Sequence, residues 1–521
     1  MIGRALDSVI GVFSPERAVK RTVARAMLQR AYDGAKGDRL SADWKPSNRA
    51  ADLELLSDAD TIRARARDLV RNNAYAKGII NARRRNIIGC GIYPQSRTTN
   101  ERFNAAAESL FDRWQKQCDV TGRLSFYELQ GLCQTEMDEA GECLVHFVKL
   151  NDPSRVLPLA LELIEADRLI SDSIYARKAA QPGNEIRRGV EIDRYGRPVA
   201  YHIWERNPND LNSFRQVARR IPAEECVHLF RQERIDQTRG ISLFAPVVLW
   251  LHHLKNYMEA EQISKRVASC FGVAIETMAG PADGGIFPAA GEDSADTNGN
   301  SFDHLEAGIV ARLFPGEKAS VINPGRSEAG AQTWITLMLR SMAVGTQLSY
   351  ERLTRDYSQT NYSSNRAADL EDRRDFRPLQ EAMIRQLCEP VWRKFLASAV
   401  EADKFTSFPD VFTFVANYDR YAEHVWQAPG WEWVDPVKEV TADILAVEKG
   451  FDTLADSLGR RGKDWRDVLR QRKVEQDFAD KLELRVSQEN VIPLATAVVE
   501  AEEAAVQNKQ EAANADEPAT A

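Results

Sequence analysis

AQTWITLMLRSMAVG (331–345), TQLSYERLTRDYSQTNYSSN (346–365) and RAADLEDRRDFRPLQEAMIRQLCEPVWRKF (366–395) follow one another and decide how this chain reads. The outer pieces carry apolar residues at helical spacing: Trp334, Leu337, Met338 and Met342 before the middle piece, Leu379, Met383, Leu387, Val391 and Phe395 after it. The middle piece is poor in large aliphatics and rich in hydroxyls, amides and guanidinium groups. A loop of about twenty residues inside a folded region is uncommon and usually has a function. Its chemistry suits weak, reversible contact with a polar polymer. No catalytic constellation accompanies it, so the block reads as a mechanical or assembly part.

Outward from this block, 521 residues exceed one ordinary core, so several structural units are expected. With 43% hydrophobic and 28% charged residues the composition is that of a soluble globular protein. No apolar run approaches a membrane span, and Met1–Phe13 lacks the continuous apolar segment of a secretory signal. Seven cysteines stand singly, without a CxxC pair, as buried reduced thiols do. The net charge of -8 hides a gradient: residues 1–90 hold eighteen Lys/Arg against ten Asp/Glu, while the C-terminal end is acidic. That overall sign argues against a tight phosphate-gripping protein, whose affinity comes from clustered Lys and Arg displacing counterions.

The spacing predicts a basic helix from Ser57 to Ile88, capped by Ser57 or Asp58 and ended by Gly89. Arg63, Arg65, Arg67, Arg71, Arg83, Arg84 and Arg85 crowd its remaining faces, as a solvated surface or as ion pairs between subunits. A helix around Phe103–Trp114 follows, and Ser125-x-x-Glu128 forms a capping box for the next. From Gly141 to Phe230 the period becomes strand-like, with Arg194-Tyr195-Gly196-Arg197 as a hairpin turn, which makes this part α+β. Pro246 opens a helix reaching about Phe271, whose stripe Phe244, Val247, Leu251, Leu254 and Met258 reads as core. Gly280–Ser301 reads as a flexible insertion, and Ile309–Asn323 as a hairpin turning at Pro315-Gly316. Near the end, Asp435-Pro436 starts a helix that Gly450 stops, and Thr453 caps another.

Chemical motifs fail on inspection. Gly459–Asp464 lacks the first glycine and the Ser/Thr of a phosphate loop and reads as a turn between helices. His252 and His253 are adjacent and point about 100° apart on a helix, so they do not share a metal. Gly325–Ala329 misses a nucleophile elbow. Glu162, Glu165, Asp167 and Arg168 read as a surface network. No catalytic residue, metal or cofactor is expected.

Four ordered segments together resemble the lambda-type portal proteins of tailed bacteriophages: 63–92 (RARARDLVRNNAYAKGIINARRRNIIGCGI), 226–248 (CVHLFRQERIDQTRGISLFAPVV), 346–374 and 433–476. The resemblance spans roughly residues 50–480. It implies an α+β portal-like fold with a mixed α/β wing, long stem-type helices, a projecting channel loop and a helical crown. On this chain that gives a basic arm (1–56), a wing-like region (57–240) and a long helix with insertion and hairpin (241–330). The helix–channel loop–helix (331–400), a crown-like region (401–484) and an acidic tail expected to be disordered (485–521) complete it.

The resemblance implies a ring, expected to be a dodecamer, at one capsid vertex of the virion and assembled in the host cytoplasm. Its partners would be the terminase large subunit, head-completion and connector proteins, major capsid or scaffolding protein, and double-stranded DNA in non-specific transit, with no membrane. Gln347, Arg352, Arg355, Gln359 and Asn361 are then the loop residues expected to face DNA during packaging and ejection. Arg83, Arg84 and Arg85 are expected at the subunit interface. A ring of acidic copies suits this role, because it repels duplex except at sparse basic positions. The rival readings are a metal-dependent nucleic-acid enzyme using Glu162 and Asp167, and a monomeric scaffolding or adaptor protein.

Overall fold

A computed structural model describes residues 48–211, 216–270, 275–276, 312–313, 328–405, 411–431 and 436–482. The chain divides into two compact units, Met1–Glu54 and Leu55–Ala521. Of the first, only residues 48–54 are described, and everything below concerns the second. The insertion at 280–301, the turn at 315–316 and the acidic tail lie outside the described residues, as does nearly all of the basic arm.

Where one basic helix is expected, two stand: α1 (Ala51–Asn72) and α2 (Ala74–Ile87). The break is Asn73, whose side chain accepts from the amides of Tyr75 and Ala76 and caps α2. The start falls before Ser57, so neither Ser57 nor Asp58 is the cap. Gly89, at φ +54°, ends α2 as expected. Strand β1 (Tyr93–Ser96), helix α3 (Glu101–Gln115) and helix α4 (Phe126–Glu139) follow, and the Ser125/Glu128 capping box of α4 is present.

The β region forms two antiparallel sheets. In the first, β2 (Glu142–Lys149) lies between β3 (Leu159–Glu165) and, from later in the chain, the segment Cys226–Phe230. After the short helix α5 (Ser173–Ala179) come β4 (Glu185–Arg187), β5 (Val190–Ile192), β6 (Pro198–Trp204) and β7 (Ala218–Pro222), in that spatial order. β5 and β6 are joined by the expected turn, with Gly196 at φ +79°. β8 (Cys226–Phe230) then returns to β2. Leu144, Ile164, Val190, Tyr201, Ile203 and Ile221 fill the space between the two sheets.

Helix α6 (Val248–Cys270) leaves this body. Its stripe is core only at the start: Val247, Leu251 and Leu254 are buried, but Met258 is 41% exposed. Two residue pairs, Arg312–Leu313 (β10) and Ile275–Glu276 (β9), pair in parallel. Helix α7 (Glu328–Gly345) runs antiparallel to α6: Tyr257 and Trp334 ring centroids are 4.6 Å apart, and Val247 fills the space where a Cβ on Gly345 would sit. The apolar spacing before the loop divides: Met338 and Met342 are buried, whereas Leu337 is 61% exposed in a single copy.

The polar loop is shorter than expected. It contains α8 (Tyr350–Thr354), and α9 (Tyr362–Met383) begins before residue 366. α9 continues through a π-helical turn (Ile384–Cys388) into α10 (Glu389–Glu401). Beyond it lie α11 (Val411–Ala416), α12 (Tyr418–Tyr421) and β11 (His424–Gln427), which pairs with β1. Trp426 thereby enters an aromatic core with Phe111, Trp114, Phe126, Trp392 and Phe395. Residues 411–427 are thus fastened to the α+β body. The helices after them are α13 (Pro436–Glu448), α14 (Leu454–Gly459) and α15 (Trp465–Lys481), with Gly450, the Thr453 cap and the turn at 459–464 as read from the sequence. Among the described residues no helix is long and apolar enough to cross a membrane.

Candidate functional site

The loop between α7 and α9 is a rigid base carrying a short exposed tip. At its entrance Thr346 is buried, and its hydroxyl donates to Met342 O at 2.9 Å. Its carbonyl accepts from Arg83 Nη1 at 3.2 Å, and Arg83 Nε donates to Asp138 Oδ2 at 3.0 Å. Arg83 is only 2% exposed, which corrects its expected place at a subunit interface. A guanidinium buried inside one chain is not offered to another. Arg84 and Arg85, one and two positions on, are exposed.

Gln347 adopts φ +56° and its side chain accepts from Arg231 Nη1 at 2.8 Å. Ser349 caps α8, and both its amide and hydroxyl donate to Asp372 at 2.8 Å. Arg352 is the keystone of the base. Its guanidinium pairs with Asp369 at 2.5 Å and Asp372 at 2.7 Å, donates to Asn86 at 2.5 Å, and lies over the Phe376 ring. Burial raises the Asp372 carboxyl above its ordinary value, while Ser349 and Arg352 pull it back down. Three elements, α2, α8 and α9, are thus tied by one side chain, whose charge is spent inside the protein.

The tip follows. Arg355 takes the left-handed conformation, φ +58°, that ends α8, and Arg355, Asp356, Tyr357, Ser358 and Gln359 are all exposed. The Ser358 hydroxyl and amide hold the Asp356 carboxyl below its ordinary range. Asn361 is exposed too, but its side chain caps α9 by accepting from the Ser364 amide at 2.8 Å. Of the five loop residues that the sequence points to, Arg355 and Gln359 sit on the tip; Gln347, Arg352 and Asn361 form its base and its exit. Tyr357, 52% exposed between them, is not among the five; its place between two polar tip residues is the signal that could have found it.

The carboxylates of the β region do not converge. Asp167 pairs with Arg63 and Arg67, whereas Glu162 pairs with His146, Arg168 and Arg219. Nearby, Glu142 is fully buried, and although burial opposes it, Arg239 and His228 hold its carboxyl far below the usual range. Such a network fixes the fold rather than presenting a reactive group. Among the described residues no group of three or more His, Cys, Asp or Glu could hold a metal ion. Five of the described cysteines are buried free thiols; Cys90 is exposed.

The chain is similar to several known proteins. A family model described as phage portal protein, lambda family, matches residues 37–380. A probable portal protein of Halomonas phage phiHAP-1 is 30% identical over 459 residues, 85% of this chain and 86% of that protein. The portal protein of Escherichia phage N15 is 23% identical, covering 82% of this chain and 86% of its own. Portal protein B of Escherichia phage lambda is also 23% identical, covering 82% and 85%. Among solved structures, a chain from the neck of a native GTA particle computed with C12 symmetry aligns over 75% of this chain and 91% of its own, at TM-score 0.37 and 13% identity.

Proposed function

The chain belongs to the lambda family of phage portal proteins, and from that premise we propose that its copies close into a ring at a capsid vertex through which double-stranded DNA enters and leaves. The role is structural, a conduit and docking platform. The observation that carries this reading is the projecting pair α6 and α7. Met258, Ile263, Trp334 and Leu337 on that pair are 41%, 59%, 39% and 61% exposed. Large apolar side chains left open to water on one helix pair mark a candidate interaction surface. Neighbouring copies in a ring would cover it, each through a heterologous contact.

In this reading α6 and α7 are the stem and α13–α15 the crown, with the terminase among the partners that dock on the ring. The sheets and α1–α4 form the wing. The tip residues Arg355, Tyr357 and Gln359 face the channel, and the base built on Arg352 keeps them from collapsing. One cation per tip suits sliding, because a duplex gripped by many Lys and Arg would be braked by counterion release. Head-completion and capsid proteins are the remaining partners. Electron microscopy and solution mass of the purified chain test the proposal. Rings with a central hole are the expected outcome; a monomer at every concentration would overturn it in favour of an adaptor.

A further inference from the structure

A cleft of about 330 Å³ lies between α9 and the C-terminal helices, lined by Arg373, Arg374, Arg377, Arg460, Arg461 and Trp431. Leu370, Arg373, Arg374 and Arg377 share one face of α9, at spacings of three and four. Like charges at that spacing repel, so the helix by itself gains nothing from this arrangement. Two carboxylates also line the cleft, and both are already shared: Glu439 faces Arg366 at 3.6 Å, and Asp443 takes Arg460 and Arg461. Arg377 is exposed and has no ion-pair partner among the described residues. The Arg373 guanidinium stands 5.9 Å from the Trp431 ring. Arg374 also pairs with Glu371 at 2.9 Å and Arg460 with Asp452, so the surplus positive charge beside the aromatic wall rests on Arg377.

We propose that this cleft receives an acidic peptide, and that its occupant is the chain's own C-terminal segment, residues 483–521. That segment holds eight Asp/Glu against two Lys/Arg, with Glu500, Glu502, Glu503, Glu511, Asp516 and Glu517 in its last 22 residues. Reach is sufficient. α15 starts at Trp465, just after Arg460 and Arg461, and its 17 residues carry the chain about 25 Å away. The 18 residues from Leu482 to Glu500 span up to about 60 Å when extended, enough to return. A tethered segment meets its site at an effective concentration on the order of millimolar, so even weak intrinsic affinity fills the cleft. The cleft is of side-chain size, which suits carboxylates on a peptide and excludes a duplex. Occupied, it hides Arg377 from other polyanions.

The test uses the full chain with six tail carboxylates neutralised (E500Q, E502Q, E503Q, E511Q, D516N, E517Q). A fluorescent peptide of residues 498–521 is expected to bind this variant about tenfold more tightly than the unmodified chain, whose tethered tail competes. Adding Arg374→Glu and Arg377→Glu should abolish binding; Arg377→Gln, a milder change, should weaken it severalfold and covers the case that the double variant fails to fold. Mixing isotope-labelled and unlabelled chains before cross-linking separates a tail of the same copy from that of a neighbour, and either one satisfies the proposal. Equal binding to the modified and unmodified chains, indifference to both arginine variants, or displacement of the peptide by duplex DNA at lower concentration overturns it. None of these readouts depends on ring formation.

Discussion

Removing the Arg83 guanidinium is expected to cost far more than removing either arginine beside it. Arg83→Met leaves Asp138 buried with Gln134 as its remaining side-chain partner and strips the Thr346 carbonyl of its donor. Breaking a buried ion pair from one side costs about 3–5 kcal/mol, whereas Arg84→Met and Arg85→Met should stay within about 0.5 kcal/mol. Denaturant unfolding at fixed protein concentration measures all three. Arginine triplets look uniform in a sequence, yet the distinction was present: Ala76, Ile79, Ile80, Arg83 and Ile87 share a helical face, and all are buried. Glu136 supports a second prediction at this scale. Burial raises its carboxyl from 4.5 to about 7, outweighing the pull of Arg67 at 2.9 Å. The folded chain then keeps a proton that the unfolded chain releases, so this group's contribution to stability falls as pH rises from 4.5 to about 7. Glu136→Gln should remove up to about 3 kcal/mol of that dependence, read as a smaller stability difference between pH 5 and pH 8 than in the unmodified chain.

The loop between α7 and α9 behaves as an element because Arg352 ties it down. Arg352→Ala removes hydrogen bonds to Asp369, Asp372 and Asn86 together, and bonds to charged partners are worth about 1.5–3 kcal/mol each at most. The expected result is about ten- to hundredfold faster amide exchange across Tyr350–Thr354, with α9 beyond Phe376 unchanged. Unchanged exchange at α8 would mean the base is held by Ser349 and Leu348 instead. Helix starts were legible at Ser125 and Thr453, where a capping side chain comes just before the helical pattern. They were not legible at Asn73, because the apolar spacing runs straight through the break and only the cap interrupts it. The sequence also could not separate tip from base. Arg352 and Arg355 are three residues apart with the same chemistry, and only the acceptors Asp369 and Asp372, a helix away, tell them apart.

At the scale of the molecule, mixed α+β architecture and family were readable from segment order, while the long-range strand pairing was not. β11 returns to β1 across more than three hundred residues, and a four-residue strand gives no sign of so distant a partner. The faces of α6 and α7 posed the opposite difficulty. Their apolar spacing is real, but spacing does not say whether the cover comes from the same chain. Here it does so only in part: Leu251, Leu254, Met338 and Met342 are buried, while Ile263 and Leu337 are more than half exposed. Substituting Ile263 and Leu337 with lysine therefore separates folding from assembly. In a single copy these side chains already meet water, so thermal stability should change by no more than about 0.5 kcal/mol. Between copies, each lysine would have to enter an apolar contact, at about 1–3 kcal/mol if its charge is left unpaired. The concentration at which rings form should then rise at least about tenfold, since each 1.4 kcal/mol is one decade. Sedimentation velocity across a dilution series measures it. Intact rings at unchanged concentration would place the stem contact elsewhere on α6 and α7, and a matching loss of thermal stability would show that these residues serve the fold of the single chain after all.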